Sequence, residues 1–257
     1  MHAMLASDPL QRFAYLQERV ECPFARGARH AAAPPWIHEL GWTANLDRVA
    51  DAFAHAADAL LHPSRRAVSR AGRDQLDGFV IEVREPGAGD SLASLARTTR
   101  RLLLGLAERD RPRAPEPLGD VESRAFWFRF ANVRCFVAVF AACYPPSSSR
   151  FAHGLPDPLF VFQAEAAFTR LFGHGRSLAA SRPGVRRAFA AAGRPYDASL
   201  SESPYEAYRY VKPLHLGEPV VRWWRDPDAP DAPLPAAAGA ADDPTYVRGE
   251  AGHALEY

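Results

Sequence analysis

Cysteine is scarce in this chain. Cys22, Cys135 and Cys143 are the only three in 257 residues, and no two of them form a CxxC pair. So small and odd a number implies neither a disulfide framework nor a cysteine-rich zinc site, and it fits a reducing compartment. Long apolar runs are lacking too. The longest, around Cys135 to Tyr144, falls far short of the roughly 20 residues that cross a bilayer as a helix. The opening Met1 to Asp8 has no basic head leading into an apolar stretch, so no secretory signal is read there. Nor is there a surplus of one charge: 31 Lys and Arg against 30 Asp and Glu give a formal net charge of +1. That balance removes the concentrated basic field that nucleic acid or an anionic membrane usually requires. A cytoplasmic location with neither partner is therefore expected. A Gly-rich phosphate loop, HExxH, GxSxG and a dinucleotide fingerprint are all missing, which excludes the most easily recognised enzymes.

What is present is apolar material: 47% of residues are hydrophobic, enough for a substantial core despite 23 prolines. Asp8 can cap a helix over residues 8 to 20, with Phe13, Leu16 and Val20 on one face. A loop holding Trp36 and Trp42 follows. Asn45 can cap a second helix to about Leu61, where His62-Pro63 stops it. Phe79 to Val83 reads as a strand, and Asp90 or Ser91 caps a helix carrying Leu92, Leu95, Leu102, Leu103 and Leu106. Pro112, Pro115 and Pro117 make a rigid connector. Ala125 to Phe130 and Arg134 to Phe140 then form a hairpin around Asn132, its nearly all-apolar second strand suited to the centre of a sheet. Leu159 to Phe162 is a further strand, followed by helices at Glu165 to Phe172 and Gly184 to Ala192. Ser203 to Tyr210 spans one or two helical turns, and Gly217 to Trp224 is a late strand or a capping segment. The expectation is one α+β domain over residues 8 to 224, built on a mostly antiparallel sheet flanked by helices. A proline-, alanine- and aspartate-rich tail occupies residues 225 to 257.

Several residue groups can carry chemistry. Cys22, before Pro23, sits at a possible helix start where a thiolate is favoured; free cysteines are more often small buried hydrophobes, and alone it reads that way. Arg26, Arg29 and His30 follow at near-helical spacing, either to receive a carboxylate or as a solvated basic face. The Cys143 to Arg150 loop leaves a buried strand, a rigid support for function. There Cys143 offers a soft sulfur ligand and Tyr144 a phenolate or hydrogen bond, or both simply pack. His153 lies close by. Glu206, Tyr208, Arg209 and Tyr210 form a polar-aromatic cluster able to close an internal ion pair or bind a substrate.

The order of four short segments resembles that of the YqcI/YcgG family: Cys22 to Ala25, Tyr144 to Arg150, Phe162 to Phe168, and Glu206 to Tyr210. The resemblance covers roughly residues 10 to 224 and rests on order and spacing. It implies a b-type haem, dioxygen or peroxide with an electron donor (a ferredoxin or flavin reductase), and hydroxylation of an amine or guanidine nitrogen of a small amino-acid-like substrate. It is compatible with a homodimer. By this resemblance Cys143 or His153 ligates iron, and Arg150 and Arg209 hold carboxylates. Glu206 and Tyr208 serve the substrate, while Tyr144, Cys22, Arg26 and His30 line the cofactor site. Two histidines expected of the family are replaced here by Cys143-Tyr144 and by Gln163-Ala164-Glu165. Either another residue ligates iron (Cys143, Tyr144, His153 or His30), or the chain is a non-catalytic binding protein of the same fold. A reactive Cys22 in a non-haem enzyme is a third reading.

Overall fold

The computed structural model describes residues 8–61, 75–110, 118–171 and 178–226. His62-Pro63, the Pro112 to Pro117 connector and nearly all of the 225–257 tail lie outside them. Helix α1 (Pro9–Gln17) begins at Asp8, whose side chain accepts from the Gln11 N–H, and Pro9 occupies a first-turn position where no amide is needed. A single 3-10 turn at Ala25–Gly27 leads into β1 (His30–Ala32). Helix α2 (Gly41–Leu61) starts four residues before the expected cap. Asn45 lies inside it instead, its side chain accepting from Ile37 N–H and donating to the carbonyls of Ile37 and Gly41. Thus it fastens the preceding loop rather than capping the helix. Strand β2 is Gly78–Glu82. Helix α3 (Leu92–Ala107) opens with a capping box between Ser91 and Ser94.

Strands β3 (Phe128–Phe130) and β4 (Val133–Phe140) form the expected hairpin. Its two-residue turn, Ala131-Asn132, has both residues at positive φ, the backbone that matches strand twist. Strand β5 (Leu159–Ala164) runs directly into α4 (Glu165–Leu171). Helix α5 (Leu178–Ala191) passes through Pro183, which the sequence reading placed before its start. Helix α6 (Ala198–Glu202) and a 3-10 turn, Glu206–Arg209, complete the elements. Gly217 to Trp224 forms no strand and packs as a capping segment through the buried Trp223.

The fold is α+β, with a five-stranded sheet ordered β1-β2-β5-β4-β3. Only the β1–β2 pair is parallel. The expected central hairpin is displaced to one side: β3 is an edge and β5 is the middle strand. Alternation decides the two faces. Phe79, Ile81, Val137, Val139, Phe160 and Phe162 point into the larger core with α2 and α3, where Phe53 stacks on Phe79 at 4.4 Å. Val80, Ala138, Phe140, Leu159 and Val161 point the other way, beneath Phe13 and Leu16 of α1. Arg12 of α1 meets Glu82 of β2 at 2.9 Å, with both side chains at most 2% exposed, and Arg84 reaches the other Glu82 oxygen. No described helix is long and apolar enough to cross a membrane.

Candidate functional site

The second face of the sheet is only partly filled. Between it, α1 and α5 lies a cavity of about 270 Å³, just below the range of about 300–1,000 Å³ usual for small-molecule sites. Phe136, Ala138 and Phe140 of β4 with Val161 and Gln163 of β5 form its floor. Phe13, Gln17 and Val20 close it on the α1 side, and Val185 and Phe189 on the α5 side. Cys22, Phe24, Ala25, Ala28 and His30 supply the N-terminal wall. Gln17 holds that wall by donating to the carbonyls of Ala25 and Ala28.

Polar groups gather at one end: Ser149, Arg150, Tyr196, Glu206, Arg209 and Lys212. Their placement comes from two segments pinned to the sheet. The Tyr144 to Arg150 loop is a run of turns, with Ser148 N–H bonded to Pro145 O, and Phe151 N–H bonded to Ser148 O. It delivers Ser149 and Arg150 into the cavity. The Glu206 to Lys212 segment is fixed by two tyrosines. Tyr210 OH accepts from Phe128 N–H and donates to Cys135 O, and Tyr144 OH bonds both the N–H and the C=O of Lys212.

The cations at this end differ in what they already hold. Arg209 is committed: it pairs with Glu206 at 3.0 Å and donates to the carbonyls of Leu200, Ser201 and Ser203. Arg150 is not. It is 6% exposed and its Nη2 donates to Arg209 O at 3.3 Å, but its Nε has no hydrogen-bond partner. Among the described residues no carboxylate stands at ion-pair distance from Arg150 or Lys212. Lys212 Nζ instead lies 3.0 Å from Ser149 Oγ and 3.9 Å over the Tyr196 ring. Burial, then the Arg150 and Arg209 charges, push the Lys212 pKa well down. Burial raises the Glu206 carboxyl against the opposing pull of Arg209, and lifts the Tyr196 phenol to about 12.

At the N-terminal wall His30 packs edge-on against Phe13 at 4.6 Å. Its ring also covers Gly78, where a Cβ would stand 2.8 Å from His30 Cδ2 and 2.7 Å from Phe162 O, so that only glycine fits. Both ring nitrogens are buried and make no well-aligned hydrogen bond, and burial lowers the pKa to about 4 against the opposing pull of Asp77 and the Ala28 backbone, leaving a neutral imidazole. Burial raises the Cys22 thiol, with amide hydrogen bonds from Phe24 and Ala25 opposing. Cys22 is accordingly a thiol, in line with its reading as a small packed side chain rather than as a helix-start thiolate.

The structure brings together Cys22, His30, Arg150, Glu206 and Arg209 of the residues singled out from sequence. The others lie elsewhere. Arg26 is exposed on the 3-10 turn. Cys143 packs against the opposite core with its N–H on Gly89 O, and burial pushes its thiol up to about 11. Tyr144 is buried and acts on the backbone of Lys212, with burial raising its phenol. His153 sits at positive φ in a turn, its carbonyl accepting from Tyr15 OH, and it does not line the cavity. Tyr208 stacks on Trp224 at 5.4 Å, outside the cavity. Among the described residues no cluster of three or more His, Cys, Asp or Glu is arranged to hold a metal ion.

Lys212, Ser149 and Tyr196 were missed, although one signal for the first was available. Lys212 is the only lysine in the chain; the remaining 30 basic residues are arginine. No known family model, curated protein or solved structure matches the chain.

Proposed function

We propose that this protein binds a compact small molecule with an apolar body and an anionic end, seated between the sheet and helices α1 and α5. The observation that carries this reading is Arg150: a buried guanidinium at the cavity wall, with an unpaired Nε and no carboxylate of its own. A buried charge is costly unless paired, and a ligand carboxylate or phosphate would supply the missing counter-charge. Lys212 adds a hydrogen-bonding nitrogen beside it, while Glu206 is already held by Arg209. Phe136, Phe140, Val161 and Phe189 would cover the ligand's apolar part. Calorimetric titration with apolar amino acids, oxo acids and organic phosphates tests the reading. Acids are expected to bind and their matching amides and neutral esters are not. Equal binding of acid and amide, or no binding across the panel, would overturn it.

A second reading is the haem-dependent nitrogen oxygenase implied by the YqcI/YcgG resemblance. His30 is the observation in its favour: a buried neutral imidazole, with no well-aligned hydrogen bond, on the lining of a cavity that arginines also line. The ligands first expected, Cys143 and His153, do not reach the cavity, so His30 is the donor this reading requires. The cavity volume suits a compact molecule better than a porphyrin, which ranks this reading second. Haem, when bound, would supply oxygen activation; the chain's own part would be an imidazole donor and cations for propionates. A Soret band on haem titration, altered in His30→Ala, is the expected result of this second reading. The absence of any band leaves the anion-binding reading alone.

A further inference from the structure

The anion site proposed above contains a group that anion binding does not explain. A guanidinium would serve as well or better for holding a carboxylate, and arginine is what this chain uses at 30 of its 31 basic positions. The one exception, Lys212, is 8% exposed, lines the cavity and projects its amine between Ser149 Oγ and the face of Tyr196. What lysine can do and arginine cannot is lose its proton and act as a nucleophile. From this placement we propose that Lys212 is a nucleophilic amine that condenses with the carbonyl of a small oxo acid whose carboxylate lies on Arg150.

The environment favours that chemistry in two further ways. An amine is activated when it is desolvated or placed beside another cation; Lys212 has both conditions, and they press it toward its neutral form. It is also held in place, because Tyr144 OH bonds its N–H at 3.0 Å and its C=O at 2.9 Å. The nitrogen lone pair attacks the carbonyl carbon and forms the C–N bond. The carbonyl oxygen gathers two protons, both originally on the amine once it is neutral, and leaves as water. The product is an imine, with no change of oxidation state and no co-reactant. Protonation of that imine nitrogen gives an electron sink for bond breaking at the neighbouring carbon.

The proposal rests on the anion-binding reading, and the test separates the two. The 257-residue chain is incubated with pyruvate, 2-oxoisocaproate or phenylpyruvate, then treated with sodium borohydride, which reduces an imine to a stable secondary amine. Intact mass and peptide mapping locate the adduct. With a single lysine the only competing amine is the N-terminus, whose pKa of about 8 makes it a built-in comparator. Labelling at Lys212 is expected to exceed that at the N-terminus by roughly tenfold at pH 7, to require borohydride, and to vanish in Lys212→Arg. Calorimetry on the same samples reads binding independently of covalent trapping. Oxo-acid binding with no adduct at Lys212 overturns the amine proposal and leaves the anion site standing. Neither binding nor adduct overturns both. The peptide map of the unsubstituted protein decides the matter even where Lys212→Arg fails to fold.

Discussion

Glu82→Leu is expected to lower unfolding free energy by about 3–5 kcal/mol, the usual cost of leaving one partner of a buried ion pair uncompensated. Glu82 is fully enclosed on β2 and touches Arg12 and Arg84, each at 2.9 Å. Arg84 is 28% exposed in its side chain and can turn back to water. Arg12, at 2%, cannot do so without lifting α1 from the sheet. The contact between Arg12 Nε and Glu82 Oε1 is close but poorly aligned as a hydrogen bond, so it depends on charge attraction in a dry place, where burial pushes the Glu82 carboxyl up to about 7 against the pull of Arg12. For that reason the double variant Arg12→Met/Glu82→Leu, which removes both charges and fills similar volume, is expected to recover most of the loss. Urea denaturation of the two variants checks this. A double variant no more stable than Glu82→Leu would mean that Arg12 does not depend on Glu82. Since α1 also supplies Phe13 and Gln17 to the cavity, the single variant should weaken ligand binding in parallel.

Arg150→Met should move stability and binding in opposite directions. In the ligand-free protein Arg150 is a buried cation held by one carbonyl and by the Phe136 and Phe140 rings at 5.7 and 5.4 Å. Burial is the main force lowering its pKa, with Tyr196, Tyr144 and Glu206 opposing. Replacing the cation with an apolar side chain of similar length should stabilise the free protein by about 1–2 kcal/mol. The same change should cost a carboxylate ligand roughly 30-fold or more in affinity, since a buried charge-assisted contact is worth about 2 kcal/mol or above. Thermal melts and calorimetry on one preparation give both numbers. Loss of stability together with unchanged affinity would show Arg150 to be a structural cation and would remove the main support for the anion site. A stability gain at the expense of binding is the pattern expected where a site keeps a group for function rather than for folding.

Much of the fold was legible because local patterns carried it. Asp8, Ser91 (one of the two cap candidates, with Asp90) and the apolar run Cys135 to Phe140 each satisfy backbone or burial requirements within a few residues, and the helix starts and the strand appear where the sequence placed them. Less local features were not legible. Strand β1 has only three residues, His30–Ala32, and exists because β2 offers it a parallel edge. Asn45 resembles a cap in sequence, yet its partners are Ile37 and Gly41, and the helix begins before it. The site divides in the same way. Arg150, Glu206 and Arg209 stood out as a polar group near loops, and Cys22 and His30 as a segment of their own. Cys143 and His153 stood out as well, but each sits in a turn that directs it away from the cavity.

By itself, then, the sequence determined the α+β class, most helices and strands, and a short roster of polar candidates, because periodicity and capping are properties of neighbouring residues. Tertiary structure alone decided which candidates share a cavity. That depends on which face of the sheet each segment packs against, and on segments 59 or more residues apart meeting, as Tyr144 does with Lys212 and Arg150 with Arg209. A lone lysine among 30 arginines was visible in the chain from the start. Only its burial between Ser149 and Tyr196 gives that exception a physical meaning, because an amine can lose its charge where a guanidinium cannot.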